Sequence, residues 1–352
     1  MNRFDYVRPA TIAEAVKAGS LPGSAYLAGG TNLVDLMKIG AMRPERLVDV
    51  SHLPGLGAIE WLEGGAVRIG ALVRNADLAH DAAFARSFPA VAEALLSGAS
   101  PQLRNAATVG GNLLQRTRCA YFQDVAASCG KRTPGAACEA IGGDTRLAAV
   151  LGWSERCIAT NPSDFCVPLA ALDAVVEIHG PAGARSVAFD AFHVLPGDDP
   201  ARETVLSAGE LVTSIVLPAE AAGFSGHSRY LKVRDRTSYA FALVSAAVGL
   251  RFEHGRIAEA RIALGGVAAK PWRARAAEEI LAGAHLSDAL CGVAAEAALA
   301  EATPSGDNAF KIGLAQRIIV RALAMAAAGT PQHLPALPAS PFASATGGLV
   351  YV

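Results

Sequence analysis

The hydrophobic pattern of residues 1 to about 57 predicts a small α/β unit. Residues 25–28 form a short apolar run that predicts a strand, and residues 33–37 place apolar side chains at helical spacing. Residues 46–50 predict a second strand. Upstream, Thr11 and Glu14 have the spacing of a capping box, which predicts a helix start. The order strand, glycine turn, helix, strand indicates a βαβ-like nucleotide-binding element.

A larger α+β segment is predicted from about residue 58 to 218. Its apolar patterns predict strands at 67–71 and 175–179 and helices at 76–80 and 89–97. Between them, residues from about 115 to 160 are rich in Gly, Arg and small side chains and show weak periodicity. This stretch reads as an insertion wrapped around something other than a hydrophobic core.

The pattern changes again from about residue 219. Residues 238–252 predict a long apolar strand or strand pair, and residues 256–265 predict another strand. Helices are predicted at 274–282 and 310–327. The tail from 329 to 352 is rich in Pro and Ala, which is typical of a flexible or docking extension.

Composition limits the classes of protein to which the chain can belong. With 352 residues, 52% of them hydrophobic and 18% charged, the chain is expected to fold into two or three globular domains. A net charge of −1 removes a global electrostatic case for nucleic acid. No apolar run reaches the ~18 residues of a membrane span, and the first residues lack a secretory pattern. We therefore expect a cytoplasmic location unless a partner carries the chain elsewhere.

Two glycine turns are candidate cofactor loops. Residues 28–33 and 107–113 each contain a Gly-Gly pair followed by polar side chains and a helical pattern. Glycines let the main chain approach an anion closely, and successive N–H groups can form an anion-binding concavity. Neither turn has the Rossmann or P-loop spacing. Two donor-rich turns could hold the two ends of one extended dinucleotide, although turns of this kind are often purely structural.

Cysteine spacing marks a second candidate site. Four of the six cysteines, Cys119, Cys129, Cys138 and Cys157, fall within thirty-nine residues. Four thiolates suit an iron–sulfur cluster or zinc. The gaps of nine, eight and eighteen residues lack the C-x2–4-C pairing usual for zinc sites, and disulfides belong mainly to small secreted domains. A structural zinc site nevertheless stays open on these grounds.

Read together, the motifs resemble the FAD-binding subunit of molybdenum-containing hydroxylases, the xanthine dehydrogenase and carbon monoxide dehydrogenase family. The resemblance implies an α+β fold: an FAD-binding domain of the p-cresol methylhydroxylase type over 1–218, with subdomains of about 1–57 and 58–218, and a smaller α/β C-terminal domain over 219–328. The matching segments are AGGTNL (28–33), ATVGGNLLQ (107–115), NPSD (161–164), KVRDRTSYAFALVS (232–245) and ALGGVAAKPWR (263–273).

One branch of that family is especially similar, the flavin subunits of periplasmic aldehyde oxidoreductases. In that branch, the resemblance implies, an inserted loop carries a [4Fe–4S] cluster that Cys119, Cys129, Cys138 and Cys157 would ligate. Four nearby cations, Arg116, Arg118, Lys131 and Arg132, would make this cluster less reducing than that of a bare ferredoxin. The segments that carry the similarity are QRTRCAYF (115–122), CGKR (129–132), CEAIGG (138–143) and CIATNPSD (157–164).

The resemblance also implies roles for individual residues in cofactor binding. The first turn would hold the FAD pyrophosphate by its main-chain N–H groups, and three residues of the second turn would meet the flavin side. Asp164 would bond FAD hydroxyl groups, and Ile215 and Lys232 would lie near the isoalloxazine ring. The residues of the two turns are Ala28, Gly29, Gly30, Thr31, Asn32 and Leu33, and then Thr108, Gly111 and Asn112.

The implied function is electron transfer. A partner large subunit with a molybdenum cofactor would oxidise an aldehyde or related substrate. A small subunit with [2Fe–2S] clusters would pass electrons to FAD on this chain, which would deliver them to an external acceptor. The three chains would form a heterotrimer that has no membrane span. Two other interpretations are weighed: a stand-alone flavin oxidase or reductase with a zinc or structural cysteine site, and a non-catalytic assembly subunit with empty cofactor loops.

Overall fold

A computed structural model describes residues 1–332, which form three β-sheets with helices packed against them. The α+β fold class is therefore confirmed. Most of the Pro- and Ala-rich tail predicted at 329–352 lies outside the described residues. The strands are β1 (Asp5–Val7), β2 (Ser24–Leu27), β3 (Arg46–Asp49), β4 (Ile59–Trp61), β5 (Val67–Gly70), β6 (Val175–Gly180), β7 (Gly183–Ala188), β8 (Leu211–Leu217), β9 (Ser228–Val233), β10 (Val244–Glu253), β11 (Arg256–Gly265) and β12 (Trp272–Arg273).

The helices are short in the first two thirds of the chain and longer near its end. Two 3₁₀ segments, Glu63–Gly65 and Ala219–His227, accompany them. The α-helices are α1 (Ile12–Gly19), α2 (Leu33–Lys38), α3 (Asn75–His80), α4 (Ala82–Ser87), α5 (Pro89–Ser97), α6 (Pro101–Arg104), α7 (Val109–Leu113), α8 (Ala120–Gln123), α9 (Cys166–Ala171), α10 (Phe189–Phe192), α11 (Arg275–Leu281), α12 (Asp288–Ala298) and α13 (Phe310–Ala327).

The first sheet is parallel and has the order β1-β3-β2. Strand β2, the glycine turn, α2 and β3 form the predicted βαβ element, with β2 and β3 paired in parallel. The predicted helix start is also present, because the Thr11 hydroxyl accepts a hydrogen bond from the Glu14 amide at 3.2 Å. The turn therefore stands where a parallel strand ends and a helix begins.

The second sheet is antiparallel and runs β4-β5-β8-β6-β7. Its buried face carries Val67, Ile69, Val176 and Ile215, none of which is accessible to solvent. Helices α3, α5 and α9 pack into the same core. The second glycine turn starts α7 and bonds directly to this layer, because Gly110 donates its amide proton to the carbonyl of Ala71 at 2.9 Å.

The third sheet has the antiparallel order β12-β11-β10-β9 and is covered by α11, α12 and α13. The predicted strand 256–265 and helix 310–327 are present with those bounds. The strand predicted over 238–252 is wrong in its first half, because residues 238–243 form a loop and β10 begins at Val244. Tyr239 has a φ of +52°, which is incompatible with a strand. No helix within residues 1–332 has the length and hydropathy needed to cross a membrane.

The insertion at 115–160 consists mainly of turns and is fastened to the C-terminal helix by a buried lysine. Lys311 has no exposed surface, and its ammonium group donates to the carbonyl oxygens of Leu147, Ala148 and Gly266 at 3.3, 2.8 and 2.6 Å. Burial lowers the pKa of Lys311 to about 7. The three carbonyl oxygens oppose that shift, because hydrogen bonds to the charged form favour it. The insertion is thus held against the C-terminal domain.

Candidate functional site

The first glycine turn connects β2 to α2. Gly30 has a φ of +72°, a conformation that L side chains rarely adopt. Asn32 then turns its side chain away from the helix: its Oδ1 accepts a hydrogen bond from the amide of Arg116 at 3.0 Å. Since Arg116 follows the second turn along the chain, this bond joins the two turns.

The second glycine turn is capped by Thr108, whose hydroxyl accepts a hydrogen bond from the Gly111 amide at 3.2 Å. The two turns also meet through the main chain at Gly29. A Cβ added to Gly29 would stand 2.0 Å from the carbonyl oxygen of Ala106 and 3.2 Å from the Cα of Ala107. Only glycine therefore lets the first turn lie against the approach to the second.

Two cavities extend from the place where the turns meet. The small cavity has a volume of about 190 Å³ and is lined largely by apolar side chains such as Leu72 and Val212. The large cavity has a volume of about 430 Å³ and carries most of the charged groups. The residues that line both are Thr31, Asn32 and Gly111. One elongated ligand could therefore occupy both cavities and cross the turns.

The structure brings together all of the residues predicted to bind FAD except Ile215. Ile215 is fully buried in β8, where it pairs with Ile69 and Val176, and it lines neither cavity. Residues 28–33 and Thr108 line the small cavity, and Asn112, Asp164 and Lys232 line the large one. Thr108 thus lies on the opposite side of the turns from Asn112, with which the resemblance grouped it.

Buried polar atoms without partners surround the large cavity. Nδ2 of Asn32, Oδ1 of Asn75 and Nε of Arg118 are each buried and lack a hydrogen-bond partner. All three residues line the large cavity. Because an unpaired buried polar group costs about 1–3 kcal/mol, these atoms favour a polar ligand that satisfies them. Together with the glycines at the junction, they fit a cofactor such as FAD.

Asp164 and Lys232 form a buried ion pair at the wall of the large cavity. Oδ2 of Asp164 lies 2.7 Å from Nζ of Lys232, and the two side chains are 8% and 4% exposed. Oδ1 of Asp164 accepts a hydrogen bond from the Tyr230 hydroxyl at 2.5 Å. Burial raises the pKa of Tyr230 well above its usual value, and Asp164 raises it further, so the hydroxyl stays protonated as a donor.

This arrangement changes the role of Lys232. The sequence predicted a cation beside the isoalloxazine ring, but the charge of Lys232 is offset by Asp164 at hydrogen-bond distance. Both oxygens of Asp164 already accept hydrogen bonds within the chain, although each keeps a free lone pair. Whether Asp164 bonds FAD hydroxyl groups stays a prediction, and its first role in the structure is to fix Lys232 and Tyr230.

Replacing Lys232 with Met is expected to destabilise the chain strongly. Asp164 would stay buried without its counter-ion, and breaking one partner of a buried ion pair costs about 3–5 kcal/mol. Denaturant unfolding of the chain measures this loss. The matched control is Arg146→Met, which breaks an ion pair with Asp235 of the same 2.7 Å length whose side chains are about half exposed. An exposed pair contributes at most about 1 kcal/mol, so equal losses in the two variants would contradict the assignment.

The four clustered cysteines line one cavity in the inserted lobe. Cys129 and Cys157 are buried, Cys119 and Cys138 are half-buried, and all four are free thiols. Burial raises the pKa of Cys119 and raises that of Cys157 to about 11, while the charge of Lys131 opposes the shift at Cys157. The amide of Ala159 lies 3.4 Å from the Cys157 sulfur, as a donor to it. The four cysteines are therefore gathered around one cavity, two of them buried and two half-buried.

The four thiols, as placed among the described residues, do not form a ready-made site for a single ion. Within residues 1–332, no group of three or more His, Cys, Asp or Glu side chains is placed to hold one metal ion. A zinc ion needs all its sulfur ligands about 2.3 Å from one point, whereas a cluster distributes them over several irons. The four thiols share one small cavity of about 10 Å³.

Glu203 changes the charge balance beside the cysteines. It lies between Arg116 and Lys131, with contacts of 2.5 and 3.1 Å. Burial raises the pKa of Glu203, but Lys131 and Arg116 outweigh burial and hold it below its ordinary value. Arg132 stabilises the insertion at 115–160, because its guanidinium donates to the carbonyls of Tyr121 and Phe122 at 2.9 and 2.7 Å. The positive field predicted from the sequence is therefore partly neutralised.

The residues that sequence reasoning missed are those whose partners are remote along the chain. Tyr230 and Glu203 lie 66 and 87 residues from Asp164 and Arg116, the side chains they contact. The sequence does contain a signal for Tyr230. Tyr230 and Lys232 are two residues apart in one strand, so their side chains share a face of the sheet. No comparable signal marks Glu203, which lies in an irregular segment.

The chain matches two family models that together span most of its length. Residues 2–220 match the model described as the FAD binding domain in molybdopterin dehydrogenase. Residues 229–326 match the CO dehydrogenase flavoprotein C-terminal domain. The boundary between the two matches falls between β8 and β9, where the second sheet ends and the third begins.

Similarity to individual proteins extends over nearly the whole chain. The aldehyde oxidoreductase FAD-binding subunit PaoB of Escherichia coli (strain K12) is 48% identical over 330 residues, which are 93% of this chain and 99% of that protein. The carbon monoxide dehydrogenase medium chain of Hydrogenophaga pseudoflava is 29% identical over 327 residues, which cover 91% of this chain and 96% of that one. A chain of the reconstituted CO dehydrogenase from Oligotropha carboxidovorans superposes with a TM-score of 0.74 at 28% identity, covering 94% of this chain and 99% of that chain.

Proposed function

The chain belongs to the FAD-binding subunits of the molybdenum hydroxylases, a family of oxidoreductase subunits, and on that basis we propose that it carries FAD and a [4Fe–4S] cluster within a molybdenum-dependent aldehyde oxidoreductase. We also propose its partner subunits and the class of substrate. The observation that carries it is the direct connection between the two candidate sites. Arg118 lines the large cavity and the next residue, Cys119, lines the cysteine cavity. Because consecutive Cα atoms are only about 3.8 Å apart, the two sites adjoin.

FAD would lie across both cavities. The shared residues Thr31, Asn32 and Gly111 would hold its middle, where the pyrophosphate presents anionic oxygens to main-chain N–H groups. The apolar small cavity would take the adenosine half, and the large cavity, with Asp164 and Lys232, would take the flavin half. Bound FAD supplies the ability to accept electrons singly from metal centres and to release them in pairs. The residues of the chain would bind the cofactor, orient it and limit its contact with water.

The four cysteines would hold the cluster. All four line one cavity, and thiolates are the ligands that iron–sulfur clusters require. Main-chain N–H donors such as that of Ala159 would stabilise the sulfur charge. Arg116 and Lys131 contribute two positive charges nearby and Glu203 contributes one negative charge, which leaves a net positive field. A cluster in this field would still be easier to reduce than one in a neutral setting.

The partners would be those implied by the family. A large subunit with the molybdenum cofactor would oxidise the aldehyde, and a small subunit with [2Fe–2S] clusters would connect it to this chain in a heterotrimer. The similarity to an aldehyde oxidoreductase subunit supports the substrate class. The chain would share the compartment of its partners, and an external acceptor would take up the electrons.

The test compares the isolated chain with the chain assembled with both partners under anaerobic conditions. Adding an aldehyde is expected to bleach the flavin absorbance only in the assembled complex, because the reacting centre lies on another subunit. Dithionite should bleach both samples and serves as the control for a functional flavin. Bleaching of the isolated chain by an aldehyde would instead support a stand-alone flavin oxidase. A colourless chain would support an assembly subunit with empty loops.

A further inference from the structure

Among the described residues, Arg118 differs from the other cations at the large cavity in having no hydrogen-bond or ion-pair partner. Within residues 1–332 its guanidinium makes no hydrogen bond or ion pair, and its Nε is buried. Its Cζ lies 4.9 Å from the centre of the Phe241 ring. Burial lowers the pKa of Arg118, and the charge of Asp35 opposes that shift. The buried, unpaired Nε of this half-buried guanidinium is costly unless a ligand supplies an acceptor oxygen.

The remaining cations at this cavity are already engaged. Lys232 is paired with Asp164. Arg104 donates to the carbonyl of Gly98 at 2.7 Å. Arg236 is exposed, donates to the carbonyl of Tyr239 at 3.0 Å and lies over the Tyr239 ring. Among the described residues that line this cavity, Arg118 is therefore the cation that remains able to meet a charge developing inside it.

We propose that Arg118 contacts the flavin ring of bound FAD and stabilises its reduced, negatively charged state. This inference rests on the proposed function, since it assigns the flavin half of FAD to the large cavity. The position of Arg118 favours the ring over the pyrophosphate, because it lines the large cavity and not the small one. The aromatic side chain of Phe241 beside it is likewise suited to a ring. The role that the sequence predicted for Lys232 thus passes to Arg118.

The position of Arg118 in the chain adds a structural consequence. The residue that follows it is Cys119, so the turn that presents one proposed cluster ligand also presents the cation to the flavin cavity. A change at Arg118 is expected to act on the flavin without removing a thiol. Iron content therefore separates a direct effect on the flavin from collapse of the cysteine lobe.

The experiment measures the midpoint potential of FAD in the full chain with its cofactors, by anaerobic titration against redox dyes. In Arg118→Gln, reduced FAD should lose at least about tenfold more affinity than oxidised FAD, which lowers the two-electron potential by about 30 mV. Arg118→Lys retains the charge but is a weaker, non-planar donor, so it should restore at least half of that shift without reaching the wild-type potential. Arg236→Gln is the matched control: it removes an exposed cation of the same cavity and should shift the potential much less, because water screens its charge.

An unchanged potential in Arg118→Gln, with FAD and iron at wild-type levels, would overturn the proposal. Equal losses of affinity for oxidised and reduced FAD would also overturn it, because they would indicate a contact to the phosphates. If Arg118→Gln fails to retain FAD, the midpoint potential of Arg118→Lys is measured instead. Its weaker, non-planar donor should lower the potential measurably, and an unchanged potential would overturn the proposal. Failure of the proposed function would appear separately, as missing FAD or missing iron in the wild-type chain.

Discussion

Replacing Cys138 with Ser is expected to reduce the iron content from about four atoms per chain to less than about one. The reason is chemical: a serine hydroxyl is a hard, weak ligand for a cluster that soft thiolates hold. Cys138 is the suitable position because its side chain is half-buried and lies outside the apolar cluster that Cys119 and Cys129 join. The fold of the lobe should therefore tolerate the change. Iron analysis and the visible spectrum of anaerobically purified protein measure the result.

The matched control is Cys291→Ser. Cys291 is 2% exposed and lies in α12 of the C-terminal domain, away from the cysteine cavity. This variant should retain all of its iron and its FAD. If Cys138→Ser kept the wild-type iron content, the four-cysteine ligand set would be wrong. If zinc were present in the wild type and lost from Cys138→Ser, the lobe would be a zinc site and the electron-transfer role of the cysteines would fail.

Replacing Gly29 with Ala is expected to weaken FAD binding by at least about 100-fold, which corresponds to about 2.8 kcal/mol. The added methyl group would stand 2.0 Å from the carbonyl oxygen of Ala106, a main-chain atom that cannot turn aside. The two glycine turns would have to separate, and the residues that line both cavities would move with them. FAD content after dialysis and a fluorescence titration of the apoprotein with FAD measure the loss.

Gly57→Ala provides the control for this substitution. A Cβ on Gly57 meets no atom within 4 Å, and the residue lies on the surface. The control should bind FAD as the wild type does, and its cysteine lobe should keep its iron. Gly29→Ala with normal FAD affinity would show that the junction of the turns does not position the cofactor, and the assignment of the two cavities to one ligand would have to be abandoned.

The parts of the fold that were predictable are those in which neighbouring residues decide the outcome. Helical and apolar patterns along the sequence predicted α13 and β11 with the bounds that the structure has. The capping residue Thr11 marked the start of α1 because its side chain bonds to a backbone amide only three residues away. The first glycine turn followed from the same local logic, since a strand and a helix in direct sequence require a tight turn between them.

The loop at 238–243 was not predictable by these means. Its aromatic and small residues have the apolar character of a strand, and this pattern predicts that β10 begins here. In the structure Tyr239 adopts a left-handed conformation, and Tyr239 and Phe241 line the large cavity. Hydrophobic periodicity registers that a side chain is apolar, but it does not distinguish a sheet core from the wall of a ligand cavity.

Contacts between side chains far apart in the sequence also could not be predicted at the site. Lys232 was assigned a free charge because Asp164 is 68 residues away and no pattern predicts their contact. Arg118 was grouped with the cations around the cysteines because it precedes Cys119, yet its side chain faces the large cavity. In both cases the direction of the side chain, which the sequence does not give, determines which groups the charge meets.

The central claim is that one chain carries a flavin and an iron–sulfur cluster at adjoining sites. It is tested most directly by metal and flavin analysis of the anaerobically purified protein, with a visible spectrum before and after dithionite. We expect one FAD and about four irons per chain, with a broad visible absorption that dithionite bleaches. FAD accompanied by zinc, or by no metal, would contradict the claim and leave the four cysteines with a structural role only.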